Sequence, residues 1–339
     1  MYLSGKHRLV ALATLVIGLL VYVECSRPQK PEEETLRRYT VGIVTWIGYG
    51  PLFVAREKGF FRDEGFDIDI RIMDGPGERE AAYLAGKVDF FPNTPDAFAI
   101  FASQGHAGKI VMPLDESQGA DGLVAKRDIR SLRELRGRTV GFQSGITSHF
   151  FLLYLLDSVG LAGSDVRQEN LGAGEAGAAF VAGKLDAAVT WEPWLSKARQ
   201  LPQSHVLASS RDTPGLLADL LMVPDRVISN DHEDVIGFIR AWWKGVEYLK
   251  DHPDESQKII GRALNLKEKE VAEILTTTHF FTIQEALAYF GTKQRPGRAF
   301  QVFSLAAKLY KDNGVIYTLP GAANQYFEPA LLAEAAEGH

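Results

Sequence analysis

The chain has 339 residues, 46% of them hydrophobic and 24% charged, the composition of a globular protein with about two domains. Its formal net charge of −6 speaks against nucleic acid as the main partner, because phosphate binding needs a basic face. A single cysteine excludes a disulfide framework and a thiolate-rich metal site.

The N-terminus reads as an export signal. Lys6, His7 and Arg8 precede an uncharged, largely apolar run from Leu9 to Val23. Cys25 follows almost at once, at the acceptor position of a bacterial lipoprotein signal, although Tyr22-Val23-Glu24 replaces the small residues usual before it. Two other readings stay open: an uncleaved anchor helix with Cys25 incidental, and a simple cleaved signal. All three export the rest of the chain to the periplasm or the outer face of the cytoplasmic membrane, with lipidation of Cys25 the leading expectation. Residues 26–38 are polar, hold two prolines and suit a tether.

From Tyr39 the pattern is α/β. Val41–Trp46 reads as a buried strand, Gly50-Pro51 starts a helix, and Lys58-Gly59 ends it. Phe66–Met73 alternates apolar and charged residues, as a half-exposed strand does. A helix follows residues 75–78, Val88–Phe91 is a strand, and Pro92–Asp96 opens a helix to Gly105. Lys109–Pro113 is a strand, and the polar, Gly-rich run Asp115–Gly122 is expected to cross to a second lobe. There the plan recurs: a short helix Ser131–Leu135, strand Thr139–Phe142, helix Thr147–Val159, strand Val166–Leu171, helix Ala176–Ala182 and strand Leu185–Thr190. About residues 204–224 cross back. Beyond Asp231 the chain reads as helical, in segments including Lys267–Thr278, Ile283–Phe290 and Ala299–Asp312, packed against the first lobe. The expected lobes are 39–115 with 215–339, and 116–214.

A repeat underlies this plan. Residues 75–89 and 172–186 share a Gly-x-Gly-Glu turn and an Ala-Gly-Lys-x-Asp ending, and Thr40-Val41-Gly42 echoes Thr139-Val140-Gly141. Two similar lobes imply a cleft between them, where small ligands bind. Gly172-Ala-Gly174-Glu-Ala-Gly177 matches a dinucleotide fingerprint, but the first copy has Glu80 where the third glycine belongs, so the shared feature is a tight turn and a helix start. Gly141–Gly145 is no nucleophile elbow, since its serine stands one place late. Neither a metal nor a cofactor is expected.

Ligands of α/β sheets sit beyond the carboxyl ends of strands. Three loops there face one cleft: Trp46-Ile47-Gly48-Tyr49-Gly50, Asn93-Thr94-Pro95-Asp96, and Ser144-Gly145-Ile146-Thr147-Ser148. The last opens a helix, and its hydroxyls either cap that helix or help hold an anion. Trp191 and Glu192, at the equivalent strand end, would face the same space. Glu192 would accept from an ammonium or amidine, or merely cap a turn. Asp115, Ser117 and Asp121 lie near the expected crossing.

Residues 39–200 resemble the solute-binding components of bacterial ABC importers for nitrate, sulfonates and taurine, the family that includes binding proteins for thiamine-pyrimidine precursors. The resemblance rests on Trp46-x-Gly48-Tyr49-x-Pro51-Leu52-x-x-Ala55-x-x-x-Gly59-Phe60-Phe61, on Ala85-Gly86-Lys87-Val88-Asp89 and on Trp191-Glu192-Pro193. Gly145-Ile146-Thr147-Ser148-His149-Phe150 resembles the taurine-binding branch. The resemblance implies a two-lobed periplasmic binding fold of type II kind, each lobe a mixed sheet flanked by helices. It also implies a monomer that closes on a small ligand and docks on a membrane permease. Taurine or an alkanesulfonate is the first expectation, and an amino-pyrimidine, nitrate, an amine or a ureide the alternatives. The acids at 115 and 121 depart from the sulfonate branch. Ligand contacts are expected at Trp46, Gly48, Tyr49, Asn93, Thr94, Asp115, Ser117, Ser144, Gly145, Thr147, Ser148, Trp191 and Glu192. Two other classes compete. Eukaryotic synthases of the thiamine pyrimidine resemble this family but use a cysteine-rich motif, for which Cys25 alone offers nothing. A sensor module would need a signalling partner.

Overall fold

The computed structural model describes residues 36–338 except Pro76, Ala107 and Pro193. The export signal, Cys25 and most of the tether lie outside the described residues. Strand β1 (Arg37–Ile43) runs parallel to β2 (Phe66–Ile72), with Arg37 opposite Phe66 and Ile43 opposite Ile72. Helix α1 (Gly50–Lys58) and the single turn α2 (Phe60–Asp63) connect them. The strand begins before Tyr39, inside the expected tether, because Arg37 pairs with Asp231 and Asp234 and is fixed there.

After β2 come α3 (Glu78–Leu84), β3 (Phe91–Asn93), α4 (Pro95–Ser103) and β4 (Lys109–Ser117). The second lobe holds β5 (Asp121–Lys126), β6 (Thr139–Phe142), α5 (Thr147–Asp157), β7 (Arg167–Asn170), α6 (Ala173–Val181), β8 (Ala187–Trp191), α7 (Trp194–Arg199) and β9 (Ser204–Ser209). Its sheet runs β7-β6-β8-β5-β9, with β6 parallel to β7 and β8, and β5 antiparallel to β8 and β9. Strand β10 (Ala218–Val223) then returns between β3 and β4, antiparallel to both. A bridge from Val41 to Phe90 joins this sheet to β1.

The crossings are shorter than their polarity suggests. The segment 115–122, expected as a loop, is strand at both ends, leaving residues 118–120 between β4 and β5. Likewise 204–224 is mostly β9 and β10. In both cases polar side chains find partners across the sheets, so polarity does not mark a loop here.

The repeat has a mechanical purpose. Asp89 Oδ2 accepts the Thr40 N–H at 2.8 Å, and Asp186 Oδ2 accepts the Thr139 N–H at 2.9 Å. The residue before each aspartate packs on the glycine two places after that threonine. A Cβ on Gly42 would lie 2.9 Å from Val88, and one on Gly141 2.5 Å from Leu185. The echoed Thr-Val-Gly and Gly-Lys-x-Asp are therefore two halves of one strand-to-strand clasp, made once per lobe.

The C-terminal part is α8 (Asp225–Asn230), α9 (His232–Asp251), α10 (Pro253–Leu264), α11 (Glu268–Leu275), the short strand β11 (Thr278–Phe280), α12 (Ile283–Phe290), α13 (Arg298–Asp312) and α14 (Pro329–Glu337). Strand β11 pairs with the end of β4 inside a region that reads as helical. Helix α9 buries Val235, Phe238, Ile239 and Trp242, and Phe238 stacks on Phe90 with ring centroids 4.0 Å apart. Helix α13 packs against α4 of the first lobe and α5 of the second. Among the described residues no helix is long and apolar enough to cross a membrane.

Candidate functional site

The chain leaves β1 at Ile43 and turns tightly through residues 47–49 into α1. That turn aims two aromatic side chains at two aspartates. The Trp46 indole Nε1–H donates to Asp115 Oδ1 at 2.9 Å, and the Tyr49 hydroxyl donates to Asp219 Oδ1 at 2.7 Å. Gly48 makes this possible. A Cβ there would stand 2.1 Å from Asp115 Oδ1 and 2.2 Å from Trp46 Nε1.

Asp115 and Asp219 are direct partners across the antiparallel pair β4 and β10. Asp115 is fully buried, and its Oδ2 has no hydrogen-bond partner. Burial first, then the Asp219 charge, hold the Asp115 carboxyl well above the ordinary range, against the bond from Trp46. Asp219, half-buried, is pushed up to about 6, chiefly by burial; Tyr49 and the Arg79 charge oppose that push, and Asp121 and Asp96 add to it. Asp121, half-buried at the start of β5, is likewise pushed up to about 6 by burial. Asp96, buried at the start of α4, is also raised by burial, against hydrogen bonds from Thr94 and Tyr310. Four carboxyls from β4, β10, β5 and α4, drawn from both lobes, thus feel one another across one cleft.

The lobes meet at the rim of that cleft. Thr94 Oγ1 and Thr147 Oγ1 are 3.2 Å apart in a hydrogen bond between α4 and α5. The Tyr310 hydroxyl donates to Asp96 Oδ2 at 2.8 Å and lies 3.2 Å from the Ile146 carbonyl oxygen, so α13 also touches both sides.

Other expected contacts serve the protein itself. The loop before α5 is held from within: Ser148 Oγ accepts the Gln143 N–H, Asn170 Oδ1 accepts the Ser144 N–H, and His149 Nδ1 accepts the Gly145 N–H, while the helix itself has no side-chain cap. His149 is buried against Phe142, and burial pushes its imidazole down to about 4, so it is neutral at pH 7. Asn93 Oδ1 caps the Thr94 N–H and its Nδ2 points to Glu80. Ser117 Oγ bonds Ser210 Oγ and accepts the Asp121 N–H, fixing both crossings. Glu192 Oε2 accepts the Ser196 N–H at 3.0 Å, and Oε1 pairs with Arg199 at 3.0 Å. Its carboxylate closes the first turn after β8. Trp191 is half-buried and stands opposite Asp121 in the sheet.

The structure therefore brings Trp46, Gly48, Tyr49 and Asp115 together, sets Thr94 against Thr147, and puts Trp191 beside Asp121. It adds Asp219 and Tyr310, and it gives a place in the acid cluster to Asp96, which the sequence sets only at the end of a cleft loop. Asp219 carried one signal: a lone carboxylate inside the apolar run 216–223. Among the described residues no three His, Cys, Asp or Glu side chains converge to hold a metal ion.

Residues 46–256 match the sequence pattern of the family described as NMT1/THI5 like. The chain belongs to that family. A Bacillus subtilis relative, provisionally named an aliphatic sulfonates-binding protein, is 28% identical over 280 residues, covering 79% of this chain and 82% of its own. The riboflavin-binding protein RibY of Chloroflexus aurantiacus is 25% identical over 272 residues, 74% and 76% of the two chains. Among solved structures, the periplasmic aliphatic sulphonate binding protein SsuA of Escherichia coli superposes with a TM-score of 0.71 at 17% identity, over 86% of this chain and 97% of that one. The fold is that of the two-lobed periplasmic binding proteins.

Proposed function

We propose that the chain is the extracytoplasmic solute-binding component of an ABC importer. It captures a small polar solute between lobes 39–115 with 215–339 and 116–214, and delivers it to a membrane permease. It works as a monomer tethered through its N-terminus by lipidation of Cys25, and it binds its solute without transforming it. Family membership and relatives named as binding proteins support the role.

The ligand class rests on one observation: Asp115 is buried with an unpartnered oxygen, facing Asp219. As carboxylates the two acids are costly to hold together, and only a ligand with a donor lets both ionise. The solute therefore carries an amino group. A zwitterion of the taurine kind, an amine and an amino-pyrimidine all qualify; nitrate and a simple alkanesulfonate do not. The walls are Trp46, Tyr49 and Trp191, with Thr94 and Thr147 closing the rim. Thermal unfolding at pH 7 with taurine, 4-aminopyrimidine, ethanesulfonate and nitrate tests this. A bound ligand at a hundred times its Kd stabilises by about 2.7 kcal/mol. Stabilisation by an amino compound and none by nitrate is expected. Tight binding of ethanesulfonate or nitrate would return the chain to the anion branch, and turnover of a bound compound would make it an enzyme.

A further inference from the structure

We propose that the cleft takes a cationic group seated between Asp115 and Asp219, and that this group enters in exchange for a proton the two carboxyls share. The inference rests on the reading of the chain as a solute-binding protein for amino-bearing ligands, and it goes further by fixing the ligand's charge and what leaves when it arrives.

The geometry is that of two acids directly opposite one another on adjacent antiparallel strands. Such positions bring side chains into contact, and like charges there repel. The protein supplies each acid with one side-chain donor: Trp46 for Asp115 Oδ1 and Tyr49 for Asp219 Oδ1. Nothing in the protein satisfies Asp115 Oδ2. Two carboxylates so placed, Asp115 fully buried and Asp219 half-buried, resist ionising together, so the pair keeps one proton.

The surrounding charges relieve them only in part, through Arg79 acting on Asp219. From β4, Glu116 is spent on the Gly215 N–H. From β5 and α4, Asp121 and Asp96 add negative charge. From α3, the Arg79 guanidinium donates to the Pro92 carbonyl and lies over the Phe91 ring. From β11, His279 is turned to Glu285. One guanidinium thus stands against Asp115, Asp219, Asp121 and Asp96, and a further cation is the species that balances them. The exchange balances. The empty site holds one carboxylic acid and one carboxylate. The filled site holds two carboxylates and the cation, and one proton goes to solvent.

A planar cation suits this seat, because a guanidinium fork matches carboxylate oxygens and stacks on aromatic faces. N-methylguanidinium is the probe, since its charge is fixed over the working range. Titration calorimetry of the full chain at pH 6, in buffers of different ionisation enthalpy, should show release approaching one proton. The Kd should fall by up to tenfold per pH unit while the proton is present, then level off. Infrared difference spectra should lose a protonated-carboxyl band when the probe is added. In Asp115→Asn, Asp219 no longer shares a proton, so release should drop by at least half and that band should weaken before ligand is added. Binding with no proton release and a flat pH profile overturns the exchange and leaves the amino-ligand reading standing. Failure of N-methylguanidinium, taurine and 4-aminopyrimidine alike to bind at any pH overturns that reading, and the exchange with it.

Discussion

Replacing Asp219 by Asn should make the ligand-free protein more stable at pH 7 and leave it unchanged at pH 4. Asp219 is raised from 3.8 to about 6, mainly by burial. A group whose folded pKa is raised adds stability that is fully present below the unfolded value and lost as pH rises through the folded one. At pH 7 that contribution is gone, so the ionised group penalises the native state. At about 1.4 kcal/mol per pH unit, the shift amounts to about 3 kcal/mol. Cleft water reaches the half-buried side chain, which makes that figure a ceiling. Asparagine keeps an oxygen for the Tyr49 hydroxyl and carries no charge. In a chain of this size the gain corresponds to a rise in Tm of about 5 °C. Thermal unfolding of both proteins at pH 4 and pH 7, followed by circular dichroism, measures it. Loss of stability in the variant at pH 7, or the same gain at both pH values, would refute the account of a strained acid pair.

Two further outcomes rest on the same geometry and a third on the N-terminal sequence. Gly48→Ala should leave the fold intact but displace the Trp46 indole from Asp115, because the new Cβ would fall 2.1 Å from Asp115 Oδ1; fluorescence titration should show affinity for the amino ligand reduced by at least tenfold, as for loss of a charged hydrogen bond of about 1.5–3 kcal/mol. Glu192→Gln should change affinity less than threefold, since the carboxylate is engaged with Ser196 and Arg199; a loss above tenfold would put Glu192 back in the ligand site. Cys25→Ala should release the protein from membranes on fractionation, and retention in the pellet would favour an anchor helix.

Much of the architecture was legible because its signals are local. The strand Thr139–Phe142 and the helix Ile283–Phe290 have the bounds their periodicity implies. The repeat announces two related lobes, and the clasp from Asp89 to Thr40 and from Asp186 to Thr139 explains why both parts of it recur. Strands β9 and β10 were not legible. Their polar or interrupted sequences become strands only because each lobe offers an open ladder to receive them. The site divides in the same way. Trp46, Tyr49 and Asp115 stand at strand ends or crossings, where sequence points. That Asp219 faces Asp115 is decided by the register of β4 against β10, which no local pattern encodes. Glu192 and Asp115 look alike as residues; only tertiary contacts hand one a cap and an arginine and leave the other unsatisfied.

That asymmetry says where the ligand's binding energy is expressed. Most buried polar groups among the described residues are satisfied internally, down to the loop before α5, where the N–H groups of Gln143, Ser144 and Gly145 are taken by Ser148, Asn170 and His149. Asp115 Oδ2 and Asp96 Oδ1 are left unsatisfied, and the acids of the cleft come from both lobes: Asp115, Asp219 and Asp96 from one, Asp121 from the other. Without a cation, bringing the lobes together brings these charges together, so closure is opposed by the same repulsion that raises their pKa values. A cation reverses the sign of that term, since each lobe is then drawn to the group between them. The contacts that join the lobes, Thr94 to Thr147 and Tyr310 to Ile146, are single neutral hydrogen bonds worth about 1 kcal/mol each. They are too weak to set the open–closed balance alone against four carboxyls. On the proposed reading, a cation that neutralises the acid floor removes an opposition to closure that these contacts do not.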